Sequence, residues 1–172
     1  MAESTAVSTL FKAPTGIAFD STGTMYINNL SGNPITMIKA NGDREAVYSG
    51  ISSPAEIMIA GEDNIYVSSY SDNYILKIVA NGKSQKISDG YRTPTGITFS
   101  NLRQLLITNR STGEIVSLDL KNDKKTVIER GLSTPVGISQ LPDNSLIVSQ
   151  YSGRLTLIQP NGDKIELGER FN

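Results

Sequence analysis

The residues of this chain that could do chemistry are one acid and a ring of amides, hydroxyls, tyrosines and arginines. Glu56 stands where three equivalent positions, Gly16, Gly96 and Gly137, carry glycine. A carboxylate at such a place can bind a cation, orient a substrate or act as a general base. Asn29, Ser69, Asn109 and Gln150 share a second matched position, and Tyr70, Arg110 and Tyr151 follow them directly. Tyr91 and Arg92 lie in a connecting segment. This mixture suits an anionic or polar ligand, or a protein loop, because arginine presents a planar fork of donors. It is equally the composition of a solvated loop surface.

What is missing narrows the chemistry further. The chain has no histidine and no cysteine. That removes the commonest general base, the usual zinc ligand, every Ser-His-Asp triad, thiol catalysis and disulfides. Serine and threonine are plentiful, but without a histidine or a placed lysine no hydroxyl is activated. Glu56 is therefore the one candidate catalytic residue. Asp72-Asn73, Asp143-Asn144 and Glu62-Asp63-Asn64 read as turns, because their acids lack the alternating spacing of a calcium loop. Sixteen basic residues against 17 acidic ones give a net charge of -1, which argues against a nucleic-acid surface. There is no tryptophan and only 6% of residues are aromatic, so stacking platforms are sparse. No apolar run approaches the length of a membrane span. Met1-Ala2-Glu3-Ser4-Thr5 lacks the basic start and apolar core of a secretory signal. The compartment is left open, and an extracytoplasmic one fits a mature or cloned N-terminus.

The elements that must position these residues repeat. Pro14-Thr15-Gly16-Ile17 returns as Pro54-Ala55-Glu56-Ile57, Pro94-Thr95-Gly96-Ile97 and Pro135-Val136-Gly137-Ile138, at steps of 40, 40 and 41 residues. A fixed period of roughly 20–50 residues marks a repeat architecture. Within the first repeat, short apolar runs at Gly16 to Asp20, Met25 to Asn29, Ile35 to Ala40 and Glu45 to Tyr48 alternate with turns. The turns are Ser21-Thr22-Gly23, Ser31-Gly32-Asn33-Pro34 and Asn41-Gly42, the last a type I′ hairpin signal. Asn81-Gly82, Asn122-Asp123 and Asn161-Gly162 recur in register with it. Four short strands joined by turns, four times over, predict an all-β propeller of four-stranded blades. The blades are predicted over 14–53, 54–93, 94–134 and 135–172 of a single domain spanning 1–172, with 1–13 as an extra outer strand. Ile17, Ile57, Ile97 and Ile138 are expected to pack between blades, as are Ile27, Val67, Ile107 and Val148. The glycines of the Pro-x-Gly-Ile segments are expected where backbone approaches its neighbour too closely for a side chain.

From Pro14 to about Gly168 these residues resemble NHL repeats, with their Pro-x-Gly-Ile-aliphatic start, aliphatic-Tyr-Val strand and Asn-Gly hairpin. The resemblance implies a β-propeller. Its wider neighbourhood holds gluconolactonase/regucalcin-type lactonases, strictosidine synthase-like enzymes and streptogramin lyases. One departure is plain: the Asp that typically follows the second-strand Val is replaced by Asn28, Ser68, Thr108 and Ser149. Lactonases of that neighbourhood hold a divalent metal with a Glu, Asn residues and an Asp, of which Glu56, Asn29 and Asn109 form a partial echo without the Asp. Streptogramin lyases need a catalytic histidine, which this chain lacks. Strictosidine synthase-like catalysis rests on one channel Glu, which Glu56 could mimic.

Propellers of this kind usually have six blades, whereas this chain has four repeats. A fragment, a ring completed by further copies and a small four-bladed closure all fit that count. The expected function is a non-catalytic scaffold that binds a protein or small polar ligand on its loop and channel face, self-associates and needs no cofactor. The alternative is a lactonase-like hydrolase or lyase using Glu56 and a divalent metal.

Overall fold

A computed structural model describes residues 11–31 and 35–169. Sixteen strands form four antiparallel sheets of four, each in sequential order, arranged as the four blades of a β-propeller. Blade 1 comprises β1 (Pro14–Phe19), β2 (Met25–Asn29), β3 (Ile35–Ile38) and β4 (Arg44–Tyr48). Blade 2 comprises β5 (Pro54–Ala60), β6 (Asn64–Ser69), β7 (Tyr74–Ile78) and β8 (Ser84–Ser88). Blade 3 comprises β9 (Pro94–Phe99), β10 (Leu105–Asn109), β11 (Glu114–Asp119) and β12 (Lys124–Glu129). Blade 4 comprises β13 (Pro135–Gln140), β14 (Leu146–Gln150), β15 (Arg154–Ile158) and β16 (Lys164–Glu169). The predicted outer strand over 1–13 falls largely outside the described residues, and Phe11, Lys12 and Ala13 are not in a strand. The predicted turn at Gly32, Asn33 and Pro34 also lies outside them.

The Asn-Gly turns use a different geometry from the one their dipeptide suggests. Gly42 has φ 87°, Gly82 79° and Gly162 90°, while the preceding asparagines do not have positive φ. The Gly42 N–H closes a turn on the Lys39 carbonyl at 2.9 Å. These are turns followed by one left-handed residue, not type I′ pairs. Each asparagine earns its place through its side chain: Asn41, Asn81 and Asn161 accept from the N–H two residues on, each at 3.0 Å.

The core is three separate seams, one between each pair of neighbouring blades. Ile27, Val67, Ile107 and Val148 are buried, as are Ile57 and Ile97, and Ile138 is half-buried. Ile17 departs from the expectation, for it is 56% exposed. The reason is topological. β1 packs on β5, β5 on β9 and β9 on β13, and no comparable contact among the described residues returns from β13 to β1. Among the described residues no blade packs against the Ile17 face of blade 1.

The seams are pinned by polar bonds at the Pro-x-Gly segments. Asn28 Nδ2 donates to the Pro54 carbonyl at 2.6 Å. Ser68 Oγ donates to the Thr95 carbonyl at 2.5 Å, and Thr108 Oγ1 to the Val136 carbonyl at 2.8 Å. Thr15 and Thr95 hydroxyls add bonds to the Pro54 and Pro135 carbonyls at 3.2 and 3.0 Å. The glycines make this approach feasible. A Cβ on Gly96 would collide with the Val136 carbonyl oxygen and stand 3.1 Å from Gly137 Cα. Because that obstacle is backbone, Gly96→Ala should lower the unfolding free energy by about 1–3 kcal/mol. Urea denaturation checks this, and an unchanged midpoint would refute the close approach.

Candidate ligand-binding site

Four residues before the repeat prolines set the site. Ala13, Ser53, Thr93 and Thr134 have φ of 54°, 46°, 60° and 50°. This left-handed region is uncommon for non-glycine residues, above all for β-branched threonine. Their carbonyls accept from the N–H groups of Leu30, Tyr70, Arg110 and Tyr151 at 2.9–3.0 Å. Each blade thus launches one residue from the same backbone anchor. These four converge with Thr15, Ala55, Glu56, Thr95, Gly96 and Val136 on a cavity of about 280 Å³ to which all four blades contribute.

Arg110 dominates its polar chemistry. Its guanidinium carbon lies 5.7 Å from the Tyr70 ring centroid and 4.8 Å from that of Tyr151. Nη1 donates to the Tyr70 hydroxyl at 2.5 Å. Nε is buried without a partner. Cation–π contacts of this kind contribute about 0.5–2 kcal/mol, more as water is excluded. They also hold the cation in place while leaving part of its fork unfilled.

Glu56 enters the same cavity from blade 2. Its Oε1 accepts from the Ile57 N–H at 3.2 Å and lies 2.8 Å from where a Cβ on Gly16 would stand. The missing side chain at Gly16 is what makes room for this carboxylate. Burial pushes the Glu56 pKa above the ordinary carboxylate value, and the Ile57 bond opposes this only in part. Asn28 Oδ1, a further buried acceptor beside Gly16, has no partner.

Of the residues singled out in the sequence, Glu56, Tyr70, Arg110 and Tyr151 are brought together here. Asn29, Ser69, Asn109 and Gln150 instead hold the inter-blade connectors. Asn29 Oδ1 accepts from Lys12 N, Asn109 Oδ1 from Arg92 N and Gln150 Oε1 from Ser133 N, at 3.1, 2.6 and 2.5 Å. Ser69 Oγ donates to the Ser52 carbonyl at 2.9 Å. Their side chains are buried because they satisfy connector backbone that no ladder pairs. Tyr91 is buried in the seam between blades 2 and 3, with its hydroxyl 2.9 Å from Ser88 Oγ. Arg92 is exposed and does not line the cavity. Thr15, Leu30, Ala55, Thr95 and Val136 were not singled out. Their signal was the repeat itself, since they occupy two fixed offsets from each proline. Among the described residues no group of three or more His, Cys, Asp or Glu could hold a metal ion. Asn29 and Asn109, which a lactonase-like set would bring to Glu56, are engaged by the connectors.

Comparisons with known proteins place the architecture. No protein-family model matches the chain, and no curated protein matches it in sequence. Solved structures do. A virginiamycin B lyase from Staphylococcus aureus aligns at 20% identity over 90% of this chain and 55% of its own, with a TM-score of 0.73. A chain of the nidogen/laminin complex aligns at 20% identity over 88% and 62%, with a TM-score of 0.79. A gluconolactonase from Xanthomonas campestris aligns at 16% identity over 92% and 63%, with a TM-score of 0.77. At these identities the likeness is one of fold, and the chain spans a little over half the length of the structures it matches. Among the described residues no helix is long and apolar enough to cross a membrane.

The raised pKa of Glu56 has a consequence for stability. A carboxyl whose pKa is raised on folding contributes stability that is complete below the unfolded pKa and is lost as pH rises through the folded one. Glu56→Gln should therefore raise the Tm at pH 7 and leave it nearly unchanged at about pH 3.5, below the reference carboxylate pKa. Differential scanning calorimetry at the two pH values checks this. A destabilised variant at pH 7 would show that the ionised carboxylate has a stabilising partner.

Proposed function

We propose that this chain is a non-catalytic, NHL-type propeller scaffold whose axial cavity binds a small polar ligand with an anionic group. The observation that carries the reading is the Arg110 guanidinium held over Tyr70 and Tyr151 at the point where all four blades meet. Arginine recognises carboxylate and phosphate oxygens through parallel donors, and the flanking rings supply apolar area for the body of a ligand. Glu56 and the hydroxyl of Thr15 offer acceptors for its hydroxyl or amine groups. A protein loop ending in an acidic side chain would present the same chemistry. Structural neighbours of this fold include a lyase and a gluconolactonase, and also a chain from a complex of two proteins. The open faces of blades 1 and 4 favour self-association as well.

A lactonase-like hydrolase or lyase is the second reading, favoured by one observation: a desolvated acid, Glu56, at the cavity wall. It would need Glu56 to act as a base or, with a divalent ion, as a ligand. Among the described residues the cavity wall holds no second carboxylate to share that work.

Calorimetric titration with sodium gluconate, sodium phosphate and N-acetylglycine tests the first reading. At least one should bind, and Arg110→Ala should weaken it tenfold or more, equivalent to about 1.4 kcal/mol. No binding by any of the three, or binding indifferent to Arg110→Ala, would overturn it. Thermal shifts with calcium, manganese and zinc that vanish in Glu56→Ala would favour the enzyme instead.

A further inference from the structure

We infer that Asn81, in the turn between β7 and β8, is a self-modification site: its side-chain amide converts to a carboxylate faster than those of the two asparagines that share its place. Asn41-Gly42, Asn81-Gly82 and Asn161-Gly162 are one dipeptide at one position of three blades. All three turns are exposed, and a Cβ on any of their glycines would meet nothing within 4 Å. Their backbone bonds are matched too. The N–H groups of Gly42, Gly82 and Gly162 donate to the Lys39, Val79 and Gln159 carbonyls at 2.9, 2.8 and 2.8 Å. The N–H groups of Lys39, Val79 and Gln159 donate in turn to the Asp43, Lys83 and Asp163 carbonyls at 3.0, 2.9 and 2.9 Å. A difference in reactivity among the three must therefore come from side chains.

Asparagine is a thermally labile residue, and the reaction needs only water besides the chain. The Gly82 backbone nitrogen attacks Asn81 Cγ and forms a new N–C bond. The Cγ–Nδ2 bond breaks, and ammonia leaves with the proton that the glycine nitrogen gives up. Water then opens the five-membered imide at either carbonyl, which leaves aspartate or isoaspartate. Glycine favours the attack because it has no Cβ to crowd the approach. The matching turn of blade 3, Asn122-Asp123, carries a side chain at that place and serves as a slow internal reference.

At Asn41 and Asn161 the amide is held at both ends. Oδ1 accepts from the N–H two residues on at 3.0 Å, and Nδ2 donates to Asp43 Oδ2 and Asp163 Oδ2 at 2.7 Å. A bond to an ionised acceptor is stronger than a neutral one, and this one must break before the side chain can turn toward the glycine nitrogen. The same carboxylate repels the negative charge that develops on Oδ1 during the attack. At Asn81 the residue two on is Lys83. Oδ1 keeps its donor, the Lys83 N–H, at 3.0 Å, while Nδ2 has no partner among the described residues. The neighbouring charge is now an ammonium, whose sign stabilises a developing oxyanion. Conversion adds one negative charge to a chain of net charge -1, and isoaspartate also inserts a methylene into the backbone of the turn.

Peptide mass spectrometry on the folded 172-residue chain, aged at about 37 °C and about pH 8 in low salt, tests the inference. Cleavage after lysine and arginine puts the three asparagines in separate peptides, 40–44, 78–83 and 155–164. Asn81 should convert about fivefold faster than Asn41 and Asn161, a barrier difference of about 1 kcal/mol. Lys83→Asp should slow Asn81 to the rate of Asn41, and Asp43→Lys should speed Asn41 to that of Asn81. Both substitutions fall at exposed turn positions, so the fold should persist. In concentrated urea the three rates should approach one another, because the clamps exist only in the folded turns. Equal rates in the folded chain, or a slower Asn81, would overturn the inference. So would an order that persists undiminished in urea, which would assign it to local sequence alone, or swap variants that leave the rates unchanged.

Discussion

The whole stack depends on a side-chain donor that crosses from the second strand of one blade to the backbone of the next. Each first strand carries a bulge between its proline and its isoleucine, where the ladder register shifts. The backbone there is left short of partners, and buried unpaired carbonyls are costly. Asn28, Ser68 and Thr108 supply the missing donor. This explains why an amide and two hydroxyls, not carboxylates, stand at these places. An ionised carboxylate can only accept, so it could not bond these carbonyls. The bond requires close approach, and close approach requires that Gly16 and Gly96 lack a Cβ. Donor and glycine are two halves of one constraint.

Glu56 marks the place where that constraint is loosened. It occupies the glycine position of blade 2, and β5 packs less closely on β9 than β1 does on β5 or β9 on β13. Its carboxyl turns back over Gly16, the one neighbour that leaves it space. The acid in the cavity is thus a by-product of a slightly opened seam and an unoccupied Cβ position. It sits in a poorly solvated place, with its pKa raised, and is not neutralised by an ion pair. Arg110 reaches the same cavity by a different route. The strained φ of Thr93 aims its carbonyl at the Arg110 N–H, and the repeat puts Tyr70 and Tyr151 at the matching positions of the flanking blades. Strain held at such points is commonly balanced by the bonds it makes feasible.

Much of this was legible in the sequence, because periodicity reports which residues share a place. The period of 40 residues alone aligns Tyr70, Arg110 and Tyr151, and it aligns Ile27, Val67, Ile107 and Val148 as core. What periodicity cannot report is what stands opposite a place. Ile17 carries the same pattern as Ile97, yet one is surface and the other core, since burial depends on a neighbouring blade and not on the residue. Asn29, Ser69, Asn109 and Gln150 look like a polar ring when read along the chain. Only the folded connectors reveal the backbone N–H and C=O groups that claim them. The turn at Asn41-Gly42 was located correctly but given the wrong geometry, because the asparagine bonds Asp43 N with its side chain and so does not adopt positive φ.

A stack of repeats is held by a sum of nearest-neighbour junctions. Among its described residues this chain builds three such junctions. The cavity lies where the blades meet, with Thr15 contributed by the first blade and Tyr151 by the last. Anything that fixes the distance between those blades must alter the cavity, and anything that fills the cavity must alter that distance. Such coupling is reciprocal by thermodynamic necessity. A ligand bridging Arg110 and the blade 1 wall would favour one spacing of the end faces. A partner seated on Ile17 would, by the same measure, favour or oppose that ligand. A ligand at the axis and a partner on blade 1 would thus act on one degree of freedom, the opening between blade 4 and blade 1.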